Sequence, residues 1–181
     1  MDDKYLQLVL KLLDKNDPYK SGHSERVSKL TEVLGINMGF PEDEIVSLTE
    51  GALLHDIGKI LLPGDLWCIP VEVDEDEKEI IEKHPLLGAN ILRECQFEEK
   101  VIEIVKYHHE FWDGNGYPEQ LKGDEIPLTA RIVGLAEAYI SMISYDIYSD
   151  SLTKEDAMKI IREEKGKQFD PVVVDSFLKI I

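Results

Sequence analysis

Apolar residues recur with a helical period along almost the whole chain. In the first segment they form one face of a helix that ends before Asp17-Pro18, and this face consists of Leu6, Val9, Leu10 and Leu13. No stretch shows the strong alternation of apolar and polar residues that is typical of a half-buried strand. The pattern predicts an all-α protein in which residues 1–16 are either an N-terminal helical appendage or the first helix of a bundle.

Glycines and prolines predict where the following helices begin and end. A second helix should run from about Ser21 to Met38, and a third from near Pro41 to an end at Gly58. A long ordered loop is predicted from Trp112 to Ile126. Six further helices are predicted: three span 74–83, 98–108 and 127–148, and three begin at His84-Pro85, at a cap on Thr153 and at Asp170-Pro171. In the helix that begins at His84-Pro85, Leu86, Ile91 and Leu92 are predicted to be buried. The sum is a single domain over residues 1–181, an all-α bundle of about eight or nine helices.

Composition narrows the compartment in which the protein works. Hydrophobic residues make up 43% of the chain, but no apolar run approaches the 18 or so residues of a membrane span. The acidic start of the chain is unlike a secretory signal, which needs a basic start and an unbroken apolar stretch. The two cysteines, Cys68 and Cys95, have no CxxC spacing and form no disulfide framework. These features predict a cytoplasmic protein that does not engage a membrane.

The net charge of −17 bears on the partners of the protein. A protein that binds a nucleic-acid polymer usually carries a basic face, so DNA and RNA are not expected partners. The same excess of acid repels any anionic substrate unless the sign of the charge is reversed locally. Bound divalent metals can reverse it, because they are often the largest charges in a site.

The chain has only five histidines, and each lies in a short, distinctive stretch: His23, His55, His84, His108 and His109. At the end of a helix, the adjacent pair His55-Asp56 can hold one metal with the imidazole and bridge to a second with the carboxylate. Two metals about 3.5–4 Å apart can activate a water and clamp a phosphodiester. Taken alone, a buried His-Asp pair is also compatible with a purely structural role.

Adjacent histidines on a helix diverge by about 100°, so His108 and His109 reach one site only if their helix ends there. The loop signals that begin at Trp112 permit such an end, and the alternative is one core and one surface histidine. The next stretch, Asp113-Gly114-Asn115-Gly116-Tyr117-Pro118, is either a simple turn or one wall of a pocket in which Tyr117 is an anchor.

Two charged residues are further candidates. Glu137 has small or apolar helical neighbours, which predicts partial burial, and a buried carboxylate needs a partner. That partner is either a metal or a base such as Arg131. Lys59 lies four residues after His55, where it can hold a phosphate or orient a water, or lie on the surface.

Together these stretches resemble the HD-GYP family, a branch of the HD superfamily of metal-dependent phosphohydrolases. The resemblance covers the chain from about Asp17 to the C-terminus. It rests on Gly22-His23-Ser24-Glu25-Arg26-Val27, Leu54-His55-Asp56-Ile57-Gly58-Lys59, His84-Pro85-Leu86-Leu87-Gly88, His108-His109-Glu110, Asp113-Gly114-Asn115-Gly116-Tyr117-Pro118, Ala130-Arg131-Ile132 and Phe169-Asp170-Pro171.

The resemblance implies the HD-domain helical fold and a two- or three-metal site, often iron, that acts on cyclic dinucleotides, chiefly cyclic di-GMP. Carried over, the first metal would be bound by His23, His55, Asp56 and Glu137, the last at a position that is aspartate in the family. The second would be bound by Asp56 as a bridge with His84, His108 and His109. Catalytic roles would fall to Asp56 and Lys59, and substrate contacts to Lys59, Arg26, Arg131 and Tyr117. We expect two divalent ions, iron first, with manganese or another transition metal as alternatives.

The chain departs from the family pattern at several positions. Tyr19 stands where three-metal members have glutamate, which is why we expect two metals. Ile140 replaces a second helical acid, and a loop lysine is replaced near Ile69. The segment Asp146-Ile147-Tyr148-Ser149 stands where the family has Arg-Pro-Tyr-Arg, so two phosphate-contacting arginines are missing.

Three functions follow as hypotheses. The first is a phosphodiesterase that acts on a cyclic dinucleotide, or another phosphate ester, through a water activated by two metals. The second is a catalytically weak or inactive module that binds a nucleotide or a signalling protein, and the lost arginines motivate it. The third is a di-iron oxygenase with a similar ligand set. No sensor or receiver domain is expected within the chain, so regulation would come from a protein partner or from substrate level.

Overall fold

The computed structural model describes residues 3–16, 21–66, 74–144 and 152–181. Within these ranges the chain forms nine α-helices and no β-strand, which confirms the predicted all-α fold. The helices are α1 Asp3–Asn16, α2 His23–Asn37, α3 Glu42–Leu54, α4 Glu75–Ile81, α5 His84–Glu94, α6 Glu99–Tyr107, α7 Leu128–Ile143, α8 Lys154–Glu163 and α9 Pro171–Phe177. Short 3₁₀ turns lie at Ile57–Leu61, Gly64–Leu66 and Gly123–Glu125.

Capping residues begin several helices where the sequence predicts. The side chain of Asp74 accepts a hydrogen bond from the backbone N–H of Glu77, and Thr153 and Asp170 cap α8 and α9 in the same way. Each cap satisfies a backbone donor that has no partner inside the helix. Between α2 and α3, Gly39 adopts φ 81°, a left-handed conformation that costs glycine little.

The prediction that Gly58 ends α3 is wrong. The helix ends at Leu54, and a 3₁₀ turn follows from Ile57 to Leu61. Gly58 serves close packing instead, since a Cβ at this position would lie 1.9 Å from the carbonyl oxygen of His84. The absence of a side chain therefore lets the 3₁₀ turn lie directly against the start of α5.

Two further expectations about helices are corrected. The prediction that Leu86 is buried is wrong, since its side chain is 38% exposed. The buried face of α5 passes through His84, Gly88 and Leu92, and Leu86 lies about 200° around the helix from His84. The long helix α7 ends at Ile143 rather than near 148, because the backbone of Ser144 is extended, with ψ 140°.

Buried apolar residues form two clusters between the helices. The larger cluster joins α2, α3, α6, α7, α8 and α9, and its fully buried side chains include Leu34, Leu48, Ile132 and Phe177. The smaller joins the end of α3 to α5 and α6, and Leu6 and Val9 of α1 pack against it. Each fully buried large side chain contributes about 2 kcal/mol to stability.

No helix in the described part of the chain combines the length and apolarity needed to cross a membrane. Several positions interpreted from the sequence lie outside the described residues, and these are Asp17-Pro18, Tyr19, Cys68, Ile69 and Asp146-Ile147-Tyr148-Ser149.

Candidate metal centre

Helix ends orient three of the five histidines. His55 and His108 are the residues that directly follow α3 and α6, and His84 begins α5 just after α4 has ended at Ile81. Carbonyls in the last turn of a helix have no intrahelical donor. The Nδ1 atoms use these acceptors: His55 donates to Ala52 at 2.7 Å, and His84 and His108 donate to Ile81 and Val105, each at 2.8 Å.

This hydrogen bonding fixes the tautomer of each ring. A carbonyl oxygen can only accept, so in the neutral form of each ring Nδ1 carries the proton and Nε2 presents a lone pair. Metal-binding histidines are commonly held in this way, with one ring nitrogen on the backbone and the other on the ion. The three rings are therefore preset as Nε2 ligands by local backbone structure.

The potential ligands form two groups. One ligand atom from each of His23, His55 and Glu137 lies within 4.8 Å of the others, and all three residues are buried; we call this the carboxylate cluster. The second group, the imidazole cluster, meets the same 4.8 Å limit and consists of His84, His108 and His109. The Nε2 atoms of His84 and His108 are 3.4 Å apart. Both adjacent histidines after α6 thus reach one site, as the helix end permits.

Asp56 lies between the two clusters. Its Oδ2 is 3.4 Å from Nε2 of His55, and its Oδ1 is 3.4 Å from Nε2 of His84. Lys59 donates from Nζ to Oδ2 at 2.7 Å, and both side chains are almost fully buried. Each oxygen of the Asp56 carboxylate therefore faces one cluster, and the lysine holds the carboxylate in that orientation.

Burial and charge divide the groups into neutral rings and carboxylates. Burial lowers the pKa of His84, His108 and His109 to about 3, although nearby carboxylates oppose it. For His55, burial also lowers the pKa, but the attraction of Asp56 and Glu137 outweighs it and the net shift is upward.

The two carboxylates shift in the opposite sense to that which burial alone would give. Burial raises the pKa of Asp56, but Lys59 and His55 bring it well below its ordinary value. Burial likewise raises the pKa of Glu137, and His109, His55 and His108 outweigh this effect. At neutral pH the centre therefore presents two carboxylates and at least three neutral imidazoles.

The residues fit divalent metal ions. Nε2 of His55 and Oδ1 of Asp56 are buried, and neither makes a hydrogen bond within the described residues. A buried polar atom without a partner is costly, and a metal ion would satisfy both. Imidazole nitrogen mixed with carboxylate oxygen is a donor set that suits iron, manganese or zinc more than calcium.

The position of Glu137 depends on close packing between α7 and the end of α6. A Cβ at Gly134 would lie 2.4 Å from the carbonyl oxygen of His108, so only glycine allows the helix to approach this far. Glu137 is one turn further along the same face, 4.0 Å from Nε2 of His108. The sequence interpretation gives Gly134 no role, and the signal that marks it is a glycine in the interior of a helix, between Val133 and Leu135.

The loop after the histidines is held by Glu110, a role that the sequence interpretation missed. The buried carboxylate of Glu110 accepts hydrogen bonds from the backbone N–H of Glu119 at 2.6 Å and of Leu121 at 3.0 Å. The ring of Tyr117 stacks on His109 with centroids 4.8 Å apart. The loop thus packs its tyrosine against a residue of the imidazole cluster, and Glu110 lies two residues before the loop signals begin at Trp112.

Of the four predicted substrate contacts, two lie at the centre and two are arginines with other partners. Lys59 and Tyr117 lie at the centre itself. Arg131 is paired with Asp170, with Nη1 2.6 Å from Oδ2, and not with Glu137. Arg26 is exposed at the start of α2, where Nη1 donates to the carbonyl of Ser21 at 2.9 Å.

A cavity of about 240 Å³ adjoins the centre. Its lining includes His108, His109 and Glu137 from the two clusters. Arg131 and the aromatic ring of Trp112 also line it, with the guanidinium carbon 5.3 Å from the ring centroid. The cavity gives a ligand of modest size access to one side of the clusters.

Comparison with known proteins agrees with this architecture. The HD domain family model matches residues 7–173, which is most of the chain. A probable cyclic di-GMP phosphodiesterase from Vibrio cholerae is 33% identical over 98% of this chain and 44% of its own length. A 3'3'-cGAMP-specific phosphodiesterase from the same organism is 33% identical over 87% of this chain and 30% of its own length.

A solved HDG"Y"P protein from Bdellovibrio bacteriovorus superimposes with a TM-score of 0.72 at 27% identity, over 87% of this chain and 51% of that one. The chain therefore belongs to the HD domain family, whose members are metal-dependent, and its resemblance to the HD-GYP branch is confirmed. It spans about half the length, or less, of the proteins described above.

Proposed function

We propose that the protein is a metal-dependent phosphodiesterase that hydrolyses a cyclic dinucleotide such as cyclic di-GMP. The observation that carries this proposal is the pair of ligand clusters on either side of Asp56, each facing one carboxylate oxygen. Relatives that act on cyclic di-GMP or on 3'3'-cGAMP support the substrate class. Iron is the first choice of metal, and manganese or another transition metal is the alternative.

Two ions would divide the ligands between them. The first would be held by His23, His55 and Glu137, and the second by His84, His108 and His109, with Asp56 shared. Such a pair lowers the pKa of a bound water and neutralises charge on the phosphodiester. This local positive charge is needed because the chain as a whole carries −17 and repels anions.

The chain's own residues supply position and charge around the ions. Asp56 fixes the separation of the two sites, and Lys59 fixes Asp56 through their 2.7 Å contact. The Lys59 ammonium also places a positive charge beside the bound phosphate. Tyr117 keeps the His109 ring in place by stacking, and it offers a surface to the substrate. Arg131 and Arg26 remain candidate contacts for more distant parts of the dinucleotide.

A second candidate function is a module that binds a nucleotide or a signalling protein without hydrolysis. A specific observation favours it: the Arg131 guanidinium is already paired with the buried carboxylate of Asp170, and Lys59 with Asp56. Arginines that hold phosphate in active members are also replaced at Asp146 and Ser149. Fewer uncompensated cations would then hold the phosphates, and turnover would suffer before metal binding does.

The test is metal analysis of protein purified without oxygen, followed by assays against cyclic di-GMP and 3'3'-cGAMP. The phosphodiesterase should contain about two ions per chain and cleave at least one substrate. The control is the double variant His55→Ala, Asp56→Ala, which should lose metal and activity. Glu94→Gln, which removes a carboxylate from the exposed face of α5, should change neither.

Two results decide between the candidates. Stoichiometric metal with no turnover for iron, manganese, cobalt and nickel would overturn the phosphodiesterase. Tight binding of the dinucleotide under the same conditions would then favour the binding module. If the double variant retains two ions, the ligand assignment itself is wrong.

A further inference from the structure

The carboxylate of Glu137 lies near residues of both clusters. It belongs to the carboxylate cluster through its proximity to His23 and His55. One of its oxygens, Oε2, is also 3.9 Å from Nε2 of His109 and 4.0 Å from Nε2 of His108. Two of the three rings of the imidazole cluster therefore face the same carboxylate oxygen.

These separations are those of atoms that share an ion. With metal–ligand bonds of about 2.1 Å, two ligands of one ion lie about 3.0 Å apart at right angles and about 4.2 Å apart when opposed. The distances from Glu137 to His108 and His109 fall within this range. An ion held by the imidazole cluster would thus have the Glu137 carboxylate within reach.

The length of the Glu137 side chain and the position of α7 both bring its carboxylate towards the imidazole cluster. Glutamate extends its carboxylate about one carbon–carbon bond, roughly 1.5 Å, beyond an aspartate on the same backbone. Gly134 meanwhile brings α7 into contact with the carbonyl of His108, so Glu137 starts close to the end of α6. The carboxylate is therefore carried towards the imidazole cluster by the backbone as well as by its own length.

We propose that Glu137 bridges the two metal positions, as a second carboxylate bridge beside Asp56. The proposal rests on the two-metal site of the proposed function and assigns Glu137 a role in both halves of it. Two shared carboxylates tie the ions together, so occupancy of one site should strengthen binding at the other. Glu137 would also take up a coordination position on the second ion that water or a phosphate oxygen could otherwise use.

The test uses backgrounds in which one site is disabled. His55→Ala leaves the imidazole cluster, and His84→Ala leaves the carboxylate cluster. In each background, binding of Mn²⁺ or Co²⁺ is measured by calorimetry with and without Glu137→Gln. We expect Glu137→Gln to weaken the remaining site by about tenfold or more in both backgrounds. A loss confined to the His84→Ala background would overturn the bridge and leave Glu137 as a ligand of one ion.

Glu137→Asp separates length from charge. It should stay within a few-fold of the parent in the His84→Ala background but bind about tenfold more weakly in the His55→Ala background, where the longer reach is needed. Equal behaviour in the two backgrounds would contradict the bridge. Circular dichroism of each metal-free variant establishes that the helical bundle is intact, and Glu94→Gln in each background is the matched control.

The intact chain provides a second measurement. If a single-site background binds no ion, the two metal-binding steps are measured instead in the protein that keeps all five histidines. Weakening of both steps by Glu137→Gln supports the bridge. Weakening of only one step overturns it. An unsubstituted protein that binds fewer than two ions contradicts the two-metal function itself. Failure of the bridge and failure of the proposed function therefore give different results.

Discussion

The two ligand clusters are built in different ways. All three residues of the imidazole cluster come from 84–109, where α5 and α6 are neighbours in sequence and pack together. The carboxylate cluster instead combines His23 of α2, His55 after α3 and Glu137 of α7. The first is assembled by local chain geometry, and the second exists only once distant helices have packed.

Charge divides the clusters in the same way. The imidazole cluster consists of rings whose pKa burial lowers to about 3, so it is neutral at physiological pH. The carboxylate cluster contains Glu137, whose pKa lies below its ordinary value, and His55, whose pKa is raised by Asp56 and Glu137 against the effect of burial. The imidazole cluster thus offers neutral ligands, and the carboxylate cluster carries a negative charge on Glu137 that a cation or a proton can balance.

The largest effect on metal binding and turnover is expected from substitution of Asp56, which lies between the two clusters. Asp56→Ala removes the oxygens that face His55 and His84, and it leaves Lys59 buried without this partner carboxylate. On the proposed function, we expect the two ions to be lost or weakened together and turnover to fall by at least about a thousandfold. Metal analysis and the dinucleotide assay measure this. Retention of one tightly bound ion would show that the clusters are more independent than the geometry implies.

A substitution at Gly134 tests how far the carboxylate cluster depends on packing. The added Cβ of Gly134→Ala would lie 2.4 Å from the backbone oxygen of His108, so α7 must shift and carry Glu137 with it. We expect a loss of about 2–4 kcal/mol in the free energy of unfolding and weaker metal binding. Urea unfolding measures the stability.

Gly64→Ala is the matched control for this prediction. A Cβ at Gly64 meets nothing within 4 Å, so its effect should stay within about 0.5–1 kcal/mol. If the two alanines cost the same, the close approach of α7 to His108 is not what places Glu137.

The contrast between local chain geometry and the packing of distant helices also explains which features the sequence can and cannot predict. Helical periodicity and capping residues predict the all-α fold, and the starts of α4, α8 and α9 are confirmed at Asp74, Thr153 and Asp170. These features are local, since a cap acts on its own first turn. The sequence leaves the convergence of His108 and His109 open, because the end of α6 before the loop permits it without requiring it.

Contacts between distant backbones could not be predicted from local patterns. Gly58 has the signature of a helix terminator, but its role is to lie against the carbonyl of His84. Gly134 similarly brings α7 to His108, and neither partner can be deduced from spacing along the chain. The burial and partners of Glu110 also depend on how the loop folds back on it.

The neutral histidines should make the metal-free protein sensitive to mild acid. His84, His108 and His109 have pKa values of about 3 when folded against an ordinary 6.5, so the unfolded chain binds more protons between these values. Stability therefore falls as pH drops below about 6.5, by on the order of 1 kcal/mol per pH unit for each ring.

The raised pKa of His55 acts in the opposite direction but is a single group. Its contribution is fully present below pH 6.5 and is lost as pH rises through the folded value, so the imidazole cluster sets the net slope. Urea unfolding of the metal-free protein between pH 7.5 and 5 measures it. His84→Gln should flatten the dependence, and a stability that rises on acidification would contradict the neutral state of the cluster.

The smallest effect is expected at the edge of the imidazole cluster. Tyr117 stacks on His109 with an angle of 27° between the rings, and the contact involves the aromatic face rather than the hydroxyl. Tyr117→Phe keeps this face and should change metal affinity and turnover by no more than about twofold. Tyr117→Ala removes the stack, worth about 1 kcal/mol, and should weaken the ion held by the imidazole cluster by up to about tenfold. Calorimetry in the His55→Ala background isolates that ion. A phenylalanine variant as impaired as the alanine variant would mean that the hydroxyl, and not the stacked ring, is what Tyr117 contributes to the centre.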